Sequence, residues 1–392
     1  MRNVHPKVEE AIDTLNMKDG PTRRKLLSGA GLASATAAAS ALLAACGSNS
    51  ASGSSSTAKN AAGNFPKTPP WQFWFVNHVY TNPFFVPTQY GFQDAAALLG
   101  LPKPNWGGSA STSSVPQMVS YLNNAISAKA SGIATTVINS TGFTTPVSNA
   151  MNAGIPVITY NADGLYKPGG VPDIGTNRLC YVGQALYNSG VQMGNRISSL
   201  VPGGGDIVIF IATPGTGNIQ PRFDGAASVL KGKYTLHEIA TGASTSAELP
   251  AEKAFLSANA SKIKGAFAVD AGSTSYLAQA LQATGLAGKI PAGGFDLVPL
   301  TLQAIKAGTV NFTIDQSPYL QGFLPVLYLY LYNLSGGLVA PPNTDTGLTF
   351  VTKDNVGPYL NTTSRFEGST AAQKTISRPS GPIKNPMATT ST

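Results

Sequence analysis

Several short apolar runs in this 392-residue chain end on a side chain able to grip a hydroxyl group. The run FWFV leads into Asn77 and His78, then Tyr80, Thr81, Asn82, Phe84 and Phe85. PVITY ends at Asn161, with Asp163 close by. DIVIFI is followed by a Gly/Thr/Asn loop that reaches Gln220 and Arg222. GAFAV runs into Asp270, AGGF into Asp296, and NFTI into Asp315 and Gln316. Carboxylates, amides, a guanidinium and aromatic rings are the chemistry of carbohydrate recognition. Each sugar hydroxyl both donates and accepts, and planar Asp, Asn, Gln and Arg groups can hold two at once. The C–H faces of a sugar are apolar and stack on rings such as Phe84 and Phe85.

Each residue also has a local reading. Asn82 can cap a helix; Phe84 and Phe85 can be core; Arg222 can pair with Asp224; Asp270 and Asp296 can cap the helices that follow them. Asp163 reads as a turn former, and Tyr80 and Asp315 as supporting groups. The ligand-contact set expected from these positions is His78, Asn82, Phe84, Phe85, Asn161, Gln220, Arg222, Asp270, Asp296 and Gln316. No catalytic residue and no metal or cofactor site is expected: there are three His and no GxSxG or HExxH spacing. Cys180, between Leu179 and Tyr181, reads as a small buried residue rather than a nucleophile.

The elements that must position these groups alternate. Apolar runs at Trp71–Val76, Ile133–Ile138, Pro156–Tyr160, Asp206–Ile211, Tyr234–Ile239, Gly265–Val269, Ile290–Phe295 and Asn311–Ile314 read as strands. Helical patterns lie between them, among them Pro87–Leu99, Pro146–Ala153, Leu186–Leu200, Arg222–Leu230 and Pro318–Leu334. Strands spaced by helices imply βαβ units and parallel sheets. Runs such as IVIFI lack polar alternation because parallel strands are covered on both faces. In such sheets ligands bind beyond the carboxyl ends of the strands, where these residues fall. The fold class is α/β, with two Rossmann-like lobes. The Gly/Pro-rich segment Ala162–Arg178 reads as the first passage between them. The expected division is 69–165 with 316–345 for the first lobe, 166–315 with 346–364 for the second, and a polar tail over 365–392.

The N-terminal stretch carries a different message. Arg23-Arg24-Lys25 precede a long small and apolar run that ends Leu-Ala-Ala-Cys at Cys46. That pattern reads as a twin-arginine lipoprotein signal over 1–45, with lipid attachment at Cys46 and a Ser/Gly/Ala tether over 46–68. A membrane-spanning helix is the competing reading, but Ala and Ser insert weakly. Export would place the protein outside the cytoplasm, held to the outer face of the membrane. Charged residues make up only 11% of the chain, so Ser, Thr, Asn and Gln must cover the surface. The formal charge of +8 is scattered rather than striped, which argues against a nucleic-acid partner.

Four pieces resemble the ribose-type periplasmic sugar-binding proteins of ABC importers: TNPFF (81–85), IPVITYNAD (155–163), GGFDLVP (293–299) and TIDQSPYLQGF (313–323). The resemblance implies two lobes joined by a three-strand hinge, a ligand in the cleft, and closure by hinge motion. It implies that Asn82, Phe84, Phe85, Arg222, Asp296 and Gln316 match the family's binding positions. Three positions depart from it: Asn161 stands where an Asp is usual, Ala162 where an Arg often follows, and Asp270 where an Asn is typical. One Arg then faces Asp270 and Asp296, which disfavours an anionic ligand and favours a neutral sugar or polyol. The expected role is a monomeric surface-anchored receptor delivering that ligand to ABC permease subunits. The alternatives are a sensor of a sugar or furanosyl signal with the same fold, or a glycoside-processing enzyme.

Overall fold

In the computed structural model, residues 66–338 and 340–360 are described. The expected signal segment, Cys46, the tether and the tail from 365 lie outside them. The elements are β1 (Phe73–Asn77), α1 (Val86–Leu98), β2 (Asn105–Gly108), α2 (Val115–Ser127), β3 (Gly132–Val137), α3 (Ser140–Asn152) and β4 (Val157–Asp163). A hairpin of β5 (Leu165–Lys167) and β6 (Val171–Asp173) follows, then β7 (Tyr181–Gly183), α4 (Leu186–Leu200), β8 (Gly205–Ile211), α5 (Gln220–Leu230), β9 (Tyr234–Ala240) and α6 (Thr245–Asn259). The chain continues through β10 (Ile263–Ala268), α7 (Ala271–Ala283), β11 (Ala292–Phe295), α8 (Pro299–Ala307), β12 (Phe312–Asp315), α9 (Pro318–Ser335), β13 (Asn343–Asp345), β14 (Thr349–Thr352) and the short α10 (Gly357–Leu360).

Two six-stranded sheets result, in the orders β2-β1-β3-β4-β7-β13 and β9-β8-β10-β11-β12-β14. All pairings within them are parallel except β12 with β14. Strand β8 shows why its run IVIFI is apolar throughout. Val208 and Phe210 pack into one core cluster, while Ile207, Ile209 and Ile211 pack into another on the opposite face. Strand β1 does the same, with Phe73 and Phe75 on one side and Trp74 and Val76 on the other.

Helix pairs flank each sheet at close range. A Cβ on Gly322 would stand 1.9 Å from the carbonyl oxygen of Thr88, and one on Gly91 would stand 2.1 Å from that of Tyr319, so α9 presses on α1. In the second lobe a Cβ on Gly190 would stand 2.1 Å from the carbonyl oxygen of Arg222, which fixes α5 against α4. Helix α9, despite its run PVLYLYLY, is a packing element with Tyr330, Leu329 and Val326 buried. No helix among the described residues is long and apolar enough to cross a membrane.

The first passage between lobes falls later than the sequence suggested. The segment 162–178 holds the β5–β6 hairpin, and β7 still belongs to the first sheet, paired with β4 and β13. The chain leaves that sheet only after Gly183. Glycines at positive φ (Gly164, Gly169, Gly170, Gly175) make the segment turn back on itself rather than cross. The second and third passages follow Asp315 and Asp345.

Candidate functional site

The strand ends of the two sheets meet across a cleft. Gly217, in the loop between β8 and α5, donates its backbone N–H to the carbonyl of Ile138 at 2.8 Å. His78, just beyond β1, is buried with Nδ1 3.2 Å from Thr136 Oγ1 and Nε2 3.3 Å from Asn218 Nδ2. It meets Phe85 edge-on, with ring centroids 5.3 Å apart. Burial lowers its pKa to about 3, so the imidazole is neutral at ordinary pH.

A continuous set of buried polar side chains runs from one lobe to the other. Asn161, at the carboxyl end of β4, donates from Nδ2 to Gln321 Oε1 at 3.0 Å. Gln321 Nε2 donates to the backbone oxygen and Oε1 of Gln316 (3.0 and 3.1 Å) and lies 3.1 Å from Thr346 Oγ1. Gln316 Nε2 donates to Asp296 Oδ1 at 2.6 Å. Asn161 (φ 61°) and Asp296 (φ 78°) both hold left-handed backbone. That conformation costs about 1–2 kcal/mol for most L residues, less for Asn and Asp, and such outliers concentrate at functional sites. Desolvation pushes the Asp296 carboxyl up to about 6, against the pull of Arg222 and the Gln316 bond and with a further push from Asp270.

Arg222, in the first turn of α5, is 2% exposed. Its Nη1 donates to the Val269 carbonyl at 2.9 Å and its Nη2 to Gln184 Oε1 at 3.1 Å. The guanidinium lies 4.2 Å over the Phe295 ring. Its Nε is buried without a partner. Burial lowers its pKa, and Asp296, Tyr181 and Asp270 oppose that shift in that order.

Three expected residues have a local assignment in the structure. Asp270 caps α7: its oxygens accept from Ser273 N, Ser273 Oγ and Ala212 N at 2.8–3.0 Å. Burial raises its pKa, with those bonds and Arg222 opposing. Asn82 caps the turn Pro83–Phe85 through a 2.9 Å bond to Phe84 N, and lines a neighbouring cavity between the lobes together with Phe84. Gln220 stands apart from the polar group. Its Oε1 accepts from Gly215 N, and its Nε2 donates to Asp224 Oδ1, so Asp224 partners Gln220 rather than Arg222.

Gln184, Gln321, Asn218, Tyr181 and Thr346 were not among the expected residues. Gln184 Nε2 donates to the Gly347 carbonyl and Tyr181 Oη to the carbonyls of Asn161 and Gln184. Gln184, Gln316 and Thr346 thus tie the three passages together. A lone Gln inside the apolar run of α9 was the available signal for Gln321; Gln184 follows a strand of three residues that gives none. Cys180 is buried, and burial raises its pKa to about 11. No cluster of three or more metal-ligating side chains occurs among the described residues.

A family model described as a periplasmic binding protein domain matches residues 73–336. The chain belongs to that family. A xylose/arabinose-binding protein of Sulfolobus acidocaldarius is 49% identical over 324 residues, covering 80% of this chain and 79% of that protein. Among solved structures, a solute-binding protein of an ABC transporter from Burkholderia graminis, in complex with D-arabinose, superposes with a TM-score of 0.67 at 24% identity. It spans 75% of this chain and 99% of that one. A carbohydrate transporter from Acidothermus cellulolyticus in complex with myo-inositol gives 0.66 at 24% identity, over 77% and 100%. These periplasmic binding proteins share the two-lobed α/β architecture described above.

Proposed function

We propose that this periplasmic binding protein captures a neutral pentose in the cleft between its lobes and hands it to an ABC importer. The observation that carries the reading is the buried polar chain Asn161–Gln321–Gln316–Asp296, flanked by Arg222 with its unpartnered Nε. Asp296 and Gln316 would take the hydroxyls, Arg222 would donate to one of them, and Phe85 and His78 would form the apolar wall. The pentose assignment is supported by the relative at 49% identity, whose name gives xylose and arabinose. Neutrality is supported by two carboxylates set against one Arg. Binding without turnover fits membership of a binding-protein family. Export through the Arg23-Arg24 signal, anchoring by lipid at Cys46 and action as a monomer complete the proposal.

Calorimetric titration with D-xylose and L-arabinose tests it. Saturable binding of at least one is expected. A hydroxyl that donates to Asp296 favours the ionised carboxylate, so affinity should fall as pH drops through about 6. Absence of binding by neutral pentoses, hexoses and polyols alike would remove the reading.

A further inference from the structure

A cavity of about 790 Å³ opens between the two lobes. Asn82 and Phe84 stand in its wall, and two more of its residues, Ala271 and Leu297, directly follow Asp270 and Asp296 in the chain. Its wall therefore adjoins the place assigned to the sugar ring. Small-molecule sites run from roughly 300 to 1,000 Å³, so this one is large. A pentose has roughly ten non-hydrogen atoms and, even at a full water's share of about 30 Å³ each, takes up about 300 Å³. More than half of the space is left over.

The remainder is lined differently from a sugar site. Val79 and Pro87 from the first lobe face Val298, Leu300, Leu302 and Tyr276 from the second. Sugar hydroxyls gain nothing from such a wall, whereas hydrocarbon does. Its polar lining includes Ser111, Thr112, Ser244, Ser275, Gln303 and one acid. Glu248, on α6, is 4% exposed, and its Oε2 has no partner. Its other oxygen lies over Gly272, where a Cβ would come within 1.9 Å. Burial, then the nearby Asp270, raises this carboxyl to about 7, so below neutrality it carries a proton to donate. An ether oxygen can only accept a hydrogen bond, which a protonated acid can donate.

We infer that the cleft accommodates a glycoside, a neutral sugar ring joined through its glycosidic oxygen to an apolar alkyl or aryl group that fills this second compartment. The inference rests on the sugar-binding reading above. Titration at pH 6 with D-xylose, xylobiose, phenyl β-D-xyloside and octyl β-D-xyloside tests it. At least one of the two apolar xylosides should bind about tenfold or more tighter than D-xylose, with a more negative heat-capacity change. Leu300→Asp, at a position 47% exposed at the cavity mouth, should erase that gain and leave D-xylose affinity as it was. Apolar xylosides no tighter than D-xylose, a greater gain for xylobiose, or a gain that survives Leu300→Asp would overturn the inference while leaving sugar capture intact. Failure of every compound to bind would instead remove the sugar-binding reading on which it stands.

Discussion

The first lobe faces the cleft with His78, Phe85, Asn161 and Gln321, all uncharged at neutral pH; the second faces it with Arg222, Asp270 and Asp296. Both walls grow from sheets of the same strand order, so the difference lies in what each strand end carries. Confining the charges to one wall has a physical consequence. Arg222 and Asp296 are desolvated when the neutral wall covers them, and that wall returns amides and one Gln184 contact rather than a counter-charge. A polyhydroxy guest supplies the missing donors and acceptors to both walls at once, which gives it the differential contact with the closed arrangement that drives a hinge.

The sharpest break of this comparison lies within the second wall. Asp296 bonds only Gln316 through its side chain, whereas Asp270 is taken up by three donors of its own lobe. Asp296→Ala should therefore weaken sugar binding by on the order of 2–4 kcal/mol, roughly 30- to 1,000-fold, with the fold retained. Asp270→Ala should chiefly lower stability, by about 1 kcal/mol for the lost cap. Titration and thermal melts of both variants separate the two. Equal affinity losses would mean that Asp270, too, grips the guest.

Much of the fold was legible because buried parallel strands advertise themselves: β3, β8, β9 and β12 lie within a residue or so of their apolar runs. The strands that escaped notice are short, polar or glycine-rich. Strand β2 is NWGG, β7 is three residues long, and β13 is Asn-Thr-Asp, shaped by its parallel pairing with β7 rather than by its own composition. Helix α3 begins at Ser140 rather than at Pro146, because Asn139 caps it and the proline is tolerated inside. At the site, residues that end a strand could be read from position alone. Gln321 and Thr346 could not, since the contacts that tie Gln321 to Thr346 and to Asn161 join parts of the chain 25 and 160 residues apart.

Gln321 sharpens the comparison from the neutral wall. It touches Asn161, Gln316 and Thr346, and so links the first lobe to two of the three passages. Gln321→Leu keeps much of the volume but leaves buried amide and hydroxyl groups unpartnered. Each orphaned group costs about 1–3 kcal/mol, so the variant should melt several degrees lower and bind sugar about tenfold more weakly. A fall in melting temperature without any loss of affinity would make Gln321 a packing residue with no part in holding the cleft.

The smallest effect expected comes from behind the charged wall. Glu252, on α6, is fully buried with neither carboxylate oxygen partnered. Burial raises its pKa to about 10, with Asp270 and then Glu248 adding to the shift. Its folded-state pKa thus lies above the unfolded value, so the folded protein binds an extra proton between about pH 4.5 and 10. Stability is then greatest at the acid end of that window and declines as pH rises through it. His78 works in the opposite sense. Its folded pKa lies below the unfolded value, so its share of stability is lost as pH falls from about 6.5 toward 3. Glu252→Gln removes only the first trend. Between pH 5 and 8 the variant's melting temperature should fall by a few degrees less than that of the parent, while the acid limb set by His78 stays unchanged. Parallel curves for the two proteins from pH 5 to 8 would show that Glu252 is not protonated in the folded state, and that the charged wall extends one helix deeper than its cleft-facing residues.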